Sequence, residues 1–254
     1  MSGPLLSRRE GNCQVLTFNA PARKNALSME MRAELYDALL AAEQDAGVRC
    51  VVITGAEGTF CAGGDIGQMN ETQLASARTR MRRNTRLVQQ MLTMGKPLIA
   101  AVEGWAVGAG FSLAMACDTV IAADNARFQS GFGKVGLAAD LGLFHTLPSR
   151  VGMARARQIL MYNQRLEAAE ALSLGVVDSM VEAGQSLQAA LQQAEALNDQ
   201  APLAVAATKA MLAGQLEWAF TREVDWQSQL LISADHQEGK AAFAEKRAPR
   251  FGGN

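Results

Sequence analysis

The chain has 254 residues, 49% of them hydrophobic and 19% charged, with a formal net charge of −1. That length suits one large domain or a domain with an appendage, and the apolar fraction allows a sizeable core. A near-neutral balance gives no broad electrostatic case for nucleic acid or an acidic membrane, the basic cluster Arg78–Arg86 being a local exception. Cys13, Cys50, Cys61 and Cys117 show no CxxC spacing, and three of them sit in or beside apolar runs. They read as free thiols in a reducing compartment. The first dozen residues lack a cationic segment followed by an apolar stretch of signal-peptide length. No apolar run approaches the ~20 residues needed to span a bilayer. A soluble cytoplasmic protein is expected.

Cys13–Asn19 alternates like a strand and stops at Pro21. Ser28 is placed to cap a helix over Met29–Ala46, whose Met31, Leu35, Ala38, Leu39 and Ala42 fall on one face. Val48–Thr54 predicts a buried strand running into Gly55, and Thr59–Ile66 a glycine turn. Gln68–Met94 is polar and Arg-rich with Met69, Leu74, Met81, Leu87, Val88 and Met91 interspersed, which suits helices with one apolar face. Lys96–Pro97 breaks that pattern. The apolar run Leu98–Val102 then breaks at Gly104, passes Gly108 and Gly110, and resumes with helical period. This predicts buried strand, glycine turn and buried helix. Thr119–Ala123 predicts a short strand. Phe128–Leu147 is glycine-rich and apolar, with Lys134 and Asp140 as its only full charges. Helices are predicted over Val151–Asn163, Leu166–Leu174, Leu187–Leu197, Leu203–Leu212 and Leu216–Ile232. From about Pro202 the chain reads as helix only, which predicts a core over 1–200 and an appended helical segment over 201–254. The order of elements predicts an α/β fold with right-handed crossovers.

The two glycine turns follow consecutive buried strands. If those strands are neighbours, the turns leave the same sheet end and face each other. One N–H from near Gly64 and one from near Ala109 could then hold a single oxygen, each typically worth ~3 kcal/mol of transition-state stabilisation. The bland alternative is that the glycines only permit tight turns. Asp140 lies among Leu137, Ala138, Ala139, Leu141 and Leu143. Desolvation there raises its pKa and makes it a stronger base when ionised. Its bland alternative is a helix cap. Gly108-Ala109-Gly110-Phe111-Ser112-Leu113 lacks the third glycine of a dinucleotide fingerprint, although Asp124 follows a strand as a ribose-binding acid would. Ser112, Asp140 and His145 keep the order of a hydrolase triad without its nucleophile elbow. His236 has no neighbour suggesting a metal site.

Several motifs together resemble the crotonase superfamily, the enoyl-CoA hydratase/isomerase family. They are Arg23-Lys24-Asn25-Ala26-Leu27, Phe60-Cys61-Ala62-Gly63-Gly64-Asp65-Ile66, the stretch Gly104 to Gly110, and the ending from His236 through Gly239, Phe243 and Lys246 to Arg247. The resemblance runs nearly the full length. It implies a spiral of ββα units, a C-terminal helical trimerisation segment, and trimers or hexamers built as dimers of trimers. It implies an acyl-CoA thioester as substrate and no separate cofactor, coenzyme A being part of the substrate. By position, the N–H groups of Gly64 and Ala109 would form the oxyanion hole. Lys24, Ala26, Ala62, Gly64, Asp65 and Ile66 would line the CoA side, and Phe243 and Lys246 would reach it from the C-terminal helix. Hydratases of the family carry glutamates where this chain has Ser112 and Phe132. Asp140 matches instead the aspartate of dienoyl-CoA isomerases and of the single-Asp isomerases of phenylacetate degradation. The expected reaction is therefore 3-enoyl to 2-enoyl isomerisation, with Asp140 as single acid and base and Phe132, Leu137 and Met69 or Met91 walling the site. A hydratase with a displaced acid, a thioester hydrolase or dehalogenase, and a non-catalytic acyl-CoA binder stand as alternatives.

Overall fold

The computed structural model describes residues 3–213 and 216–253. Strand β1 (Leu5–Glu10) turns back at Gly11 into β2 (Cys13–Phe18), and the two pair antiparallel. Helix α1 (Met29–Gln44) starts where Ser28 accepts a hydrogen bond from the Met31 N–H at 3.1 Å. That is the N-cap its sequence position predicts. Strand β3 (Cys50–Gly55), helix α2 (Leu74–Thr93), strand β4 (Leu98–Val102), strand β5 (Trp105–Val107) and helix α3 (Ala109–Met115) follow. Next come β6 (Thr119–Ala123), β7 (Arg127–Gln129), α4 (Leu143–Val151), α5 (Met153–Met161), β8 (Arg165–Glu167), α6 (Ala168–Ser173), β9 (Ser179–Val181) and α7 (Ser186–Glu195). α8 (Pro202–Leu212), α9 (Leu216–Leu230) and α10 (Ala234–Ala244) form the expected C-terminal helices, and residues 245–253 follow as turn and irregular chain.

The main sheet has the order β1-β2-β3-β4-β6-β9, parallel beyond the first pair. Its central strands are buried on both faces, which is why β3 and β4 read as unbroken apolar runs. Alternate residues divide between two cores. Cys13, Val15, Cys50, Val52, Ile99, Ala101 and Ile121 pack under Ala190 and Ala194 of α7. Leu16, Phe18, Val51, Ile53, Leu98, Ala100 and Val102 point into the larger core with Leu35, Leu39, Leu87 and Met91.

The structure corrects the sequence reading in its short elements. A small second sheet has the order β5-β7-β8, three residues per strand. Such strands are too short to show a period. Leu166 belongs to β8, paired with Phe128, and not to a helix. β1 is also a strand that the sequence reading missed, because its LLSRRE runs from half-buried to fully exposed. Helix α2 begins only at Leu74, the segment before it being a single turn over Ile66–Gln68 and irregular chain. Val151 closes α4, and Gly152 separates it from α5. Among the described residues no helix is long and apolar enough to cross a membrane.

Candidate active site

β3 and β4 are parallel neighbours, with Val52 opposite Ile99, so the two glycine turns leave the same sheet end. Beyond the sheet the turns are stitched together. The Phe60 N–H donates to Glu103 O at 2.8 Å, Cys61 N–H to Trp105 O at 2.9 Å, and Val107 N–H to Cys61 O at 3.0 Å. Leu27 N–H holds Gly63 O at 2.7 Å from the other side. Two glycines make the approach feasible. Gly108 sits at φ 52°, ψ −119°, outside the range of ordinary side chains. A Cβ on Gly110 would stand 2.2 Å from the Cys61 carbonyl oxygen. Among the described hydrogen bonds, the N–H groups of Gly64 and Ala109 donate to nothing in the chain.

Gly64 and Ala109 both line a cavity of about 880 Å³. Its wall carries Lys24, Ala26, Ala62, Asp65, Ile66, Phe132, Leu137, Asp140 and Phe243, all expected from sequence. Lys246 is not on this wall; it lies past the end of α10 with a positive φ of 53°. Met69 is on the wall, whereas Met91 is fully buried in the core. Asp65 is tied to Arg23 at 2.7 Å and accepts from the Gly67 N–H at 3.2 Å, so its carboxylate is already engaged.

Asp140 is different. It is 8% exposed, Asn84 Nδ2 reaches its Oδ2 at 3.4 Å, and its Oδ1 has no hydrogen-bond partner. It caps no helix: Gly142 precedes α4, which has no side-chain cap. Burial pushes its carboxyl above the usual range, opposed by the charges of Arg32 and Arg80 and by the nearby side-chain amides of Gln227 and Asn84. The hydrolase triad is not assembled. Ser112 is fully buried, its hydroxyl donating to Gly108 O at 3.2 Å, and neither it nor His145 lines the cavity.

The loop bearing Asp140 is gripped from α9. Glu223 Oε1 accepts from Leu141 N–H at 3.0 Å and its Oε2 from Gly142 N–H at 2.8 Å. One turn on, Gln227 accepts from Ala138 N–H at 3.1 Å and donates to Ala138 O at 2.9 Å. Burial, and then the Asp140 charge, push the Glu223 carboxyl up to about 8. From α10, His236 Nδ1 lies 2.7 Å from Val135 O, bracing the turn over Phe132–Val135.

The amino-acid sequence as a whole agrees with this geometry. The family model described as enoyl-CoA hydratase/isomerase matches residues 8–254. This chain belongs to the enoyl-CoA hydratase/isomerase family. Two curated relatives from Escherichia coli (strain K12) are each 35% identical over 98% of this chain and 98% of their own length. One is 1,2-epoxyphenylacetyl-CoA isomerase and the other 2,3-dehydroadipyl-CoA hydratase. The solved structure of an enoyl-CoA hydratase from Mycobacterium avium subsp. paratuberculosis K-10 superposes with a TM-score of 0.89 at 32% identity. That match covers 98% of this chain and 99% of the other. The fold is the expected crotonase fold with a C-terminal helical region.

This family member also builds its cavity from residues that sequence reasoning missed. Arg32, Lys134 and Lys240 stand on the wall, and Asn84, Glu223 and Gln227 stand behind Asp140. Arg32 lies on the buried face of α1 between Met31 and Leu35. An arginine flanked by core residues was the available signal, since an unpaired cation is rarely buried.

Proposed function

We propose that this enzyme is an acyl-CoA isomerase that moves a double bond from the 3-enoyl to the 2-enoyl position, with a linear or ring-derived acyl group. Asp140 removes a proton from C2, breaking the C–H bond. The electron pair delocalises onto the thioester oxygen, which Gly64 and Ala109 hold through their N–H groups. Protonated Asp140 then delivers the proton to C4, and the C3=C4 double bond becomes C2=C3. One carboxylate serves both steps when the two carbons lie on one face of the substrate.

The observation that carries this reading is Asp140 itself, a buried carboxylate with a free Oδ1 on the same cavity wall as two undonated backbone N–H groups. Hydration needs a second acid or base on that wall. Ser112 and Phe132 occupy the two positions where it would stand, and Glu223, the other buried carboxylate nearby, is turned to the backbone of Leu141 and Gly142. Lys24, Ala26, Ala62, Asp65, Ile66 and Phe243 would receive the CoA portion; Phe132 and Leu137 would exclude water. A trimer, or a dimer of trimers, is the proposed assembly, and Lys246, off the cavity in one chain, would act in that context.

Incubation with 3-hexenoyl-CoA and with crotonyl-CoA, followed by absorbance and mass analysis, tests the reading. Isomerisation of the first without hydration of the second is expected. Asp140→Asn should lose isomerisation by roughly a thousandfold while still binding the CoA ester. Turnover like wild type in that variant would sink the assignment.

A further inference from the structure

Arg32 takes no part in the proton transfer described above, yet it is only 6% exposed on the cavity wall. Its Nη1 donates to Asn84 Oδ1, and Asn84 Nδ2 in turn reaches Asp140 Oδ2 at 3.4 Å. The same guanidinium borders the oxyanion turn, because a Cβ on Gly64 would stand 3.1 Å from Arg32 Nη2. Among the described residues no carboxylate forms an ion pair with it, and its Nε has no partner. The neighbouring buried cation is different: Arg80 is engaged by Glu71 and by Gln68 O, each at 3.0 Å.

A buried guanidinium without a contacting anion is costly. Burial pulls Arg32 down to about 10, which leaves it charged near neutral pH. The negative charges within its reach are the Asp140 carboxylate before proton transfer and the thioester oxygen beside Gly64 after it. Arg32 borders both places. The groups that act on Asp140 are Arg32 from α1, Arg80 from α2 and Glu223 from α9, with the neutral amides of Asn84 and Gln227. Arg80 is paired with Glu71 and the Glu223 oxygens are turned to the Leu141 and Gly142 N–H groups, so Arg32 is the cation left to balance Asp140.

We propose that Arg32 is the positioning residue for Asp140, aiming its carboxylate through the Asn84 amide and keeping it ionised, with its charge still close at hand when the negative charge moves to the oxyanion turn. This rests on Asp140 being the base. The variants Arg32→Gln and Arg32→Lys separate charge from shape. Two readouts are needed: the pH dependence of kcat/KM with 3-hexenoyl-CoA, and carbon-13 NMR titration of the Asp140 carboxyl, assigned by its loss in Asp140→Asn.

Arg32→Gln should move both the carboxyl titration and the acid limb of the rate profile up by about one pH unit or more. It should lower kcat roughly tenfold or more, with less effect on KM. Arg32→Lys should keep the titration close to wild type. A folded Arg32→Gln protein with an unmoved carboxyl titration and acid limb overturns the proposal. If Arg32→Gln does not fold, Asn84→Leu is read the same way, and an unchanged titration there also overturns it. If the wild type isomerises no 3-enoyl-CoA, the isomerase reading falls, and the carboxyl titration alone still decides the role of Arg32.

Discussion

At the scale of single residues the site is a problem of buried charge. Asp140 and Glu223 are close enough that each disfavours the other's ionisation, and both are lifted by burial. Glu223 has the simpler consequence. Between its ordinary value of 4.5 and its native value of about 8, the native state holds a proton that the unfolded chain has released. Through this group, stability therefore falls as pH rises across that interval and is level above it. Glu223→Gln should remove the slope. Urea unfolding at pH 5 and at pH 8 should show the variant losing less stability than wild type over the interval; an equal loss would contradict the assignment. Gly110→Ala addresses the other half of the site. The added methyl meets the Cys61 carbonyl oxygen at 2.2 Å, so the two turns must separate. A loss of about 1–3 kcal/mol in thermal unfolding and weaker acyl-CoA binding are expected. Gly108, Gly110 and Asp140 were legible because their signals are local: a turn needs glycine, and a lone carboxylate stands out in an apolar run. Arg32 and Glu223 were not, because their partners lie far along the chain, at Asn84 and at Leu141 and Gly142.

At the scale of elements, the helices after residue 200 complete the site. α9 holds both flanks of Asp140 with Glu223 and Gln227, which are four residues apart and so share one helix face. Leu141 is held there at φ 50°, a left-handed conformation that a branched side chain adopts only under constraint. Gln227→Ala removes both bonds to Ala138, an exposed residue whose N–H and C=O would then have only water to bond. About 2 kcal/mol of stability should be lost. Hydrogen exchange at Ala138–Gly142 should quicken more than exchange in β3 and β4. Uniform change across the chain would mean that α9 acts on the whole fold and not on this loop. α10 plays a similar part beneath Phe132. A Cβ on Gly239 would stand 2.6 Å from Val135 Cα, so Gly239→Ala should push the helix off the Phe132–Val135 turn and impair acyl-CoA binding. The sequence reading found these helices from their period but could not say what they touch. It also passed over β5, β7 and β8, although β5 lies within the second glycine turn and hydrogen-bonds to Cys61 of the first.

At the scale of the whole molecule, large apolar side chains remain in water. Met161 is 76% exposed, Tyr162 80% and Trp226 60%. Met161 and Trp226 border a second cavity of about 520 Å³ that shares Phe132 and Leu137 with the first. Contacts between chains at that place would bear directly on the acyl end of the site. Light scattering tests the proposed assembly, with three or six times the chain mass of 27.1 kDa expected. Trp226→Glu should lower that mass and the activity together, and an unchanged mass would exclude this face from the interface.

What the sequence alone determined was local and periodic. Buried parallel strands read as apolar runs, caps and glycine turns as their residue types, and Asp140 as a carboxylate without polar neighbours. Those features, with the motif order, were enough for the family and for naming the two glycine turns and Asp140 as site candidates. The tertiary structure decided which distant groups converge: that the turns from β3 and β4 face one cavity, that α9 fixes the loop of Asp140, and that Arg32 shares the wall with it and reaches Asn84. Convergence of that kind depends on packing between elements. It leaves no period and no spacing in the chain, because the residues that meet are brought together by the core and not by their order.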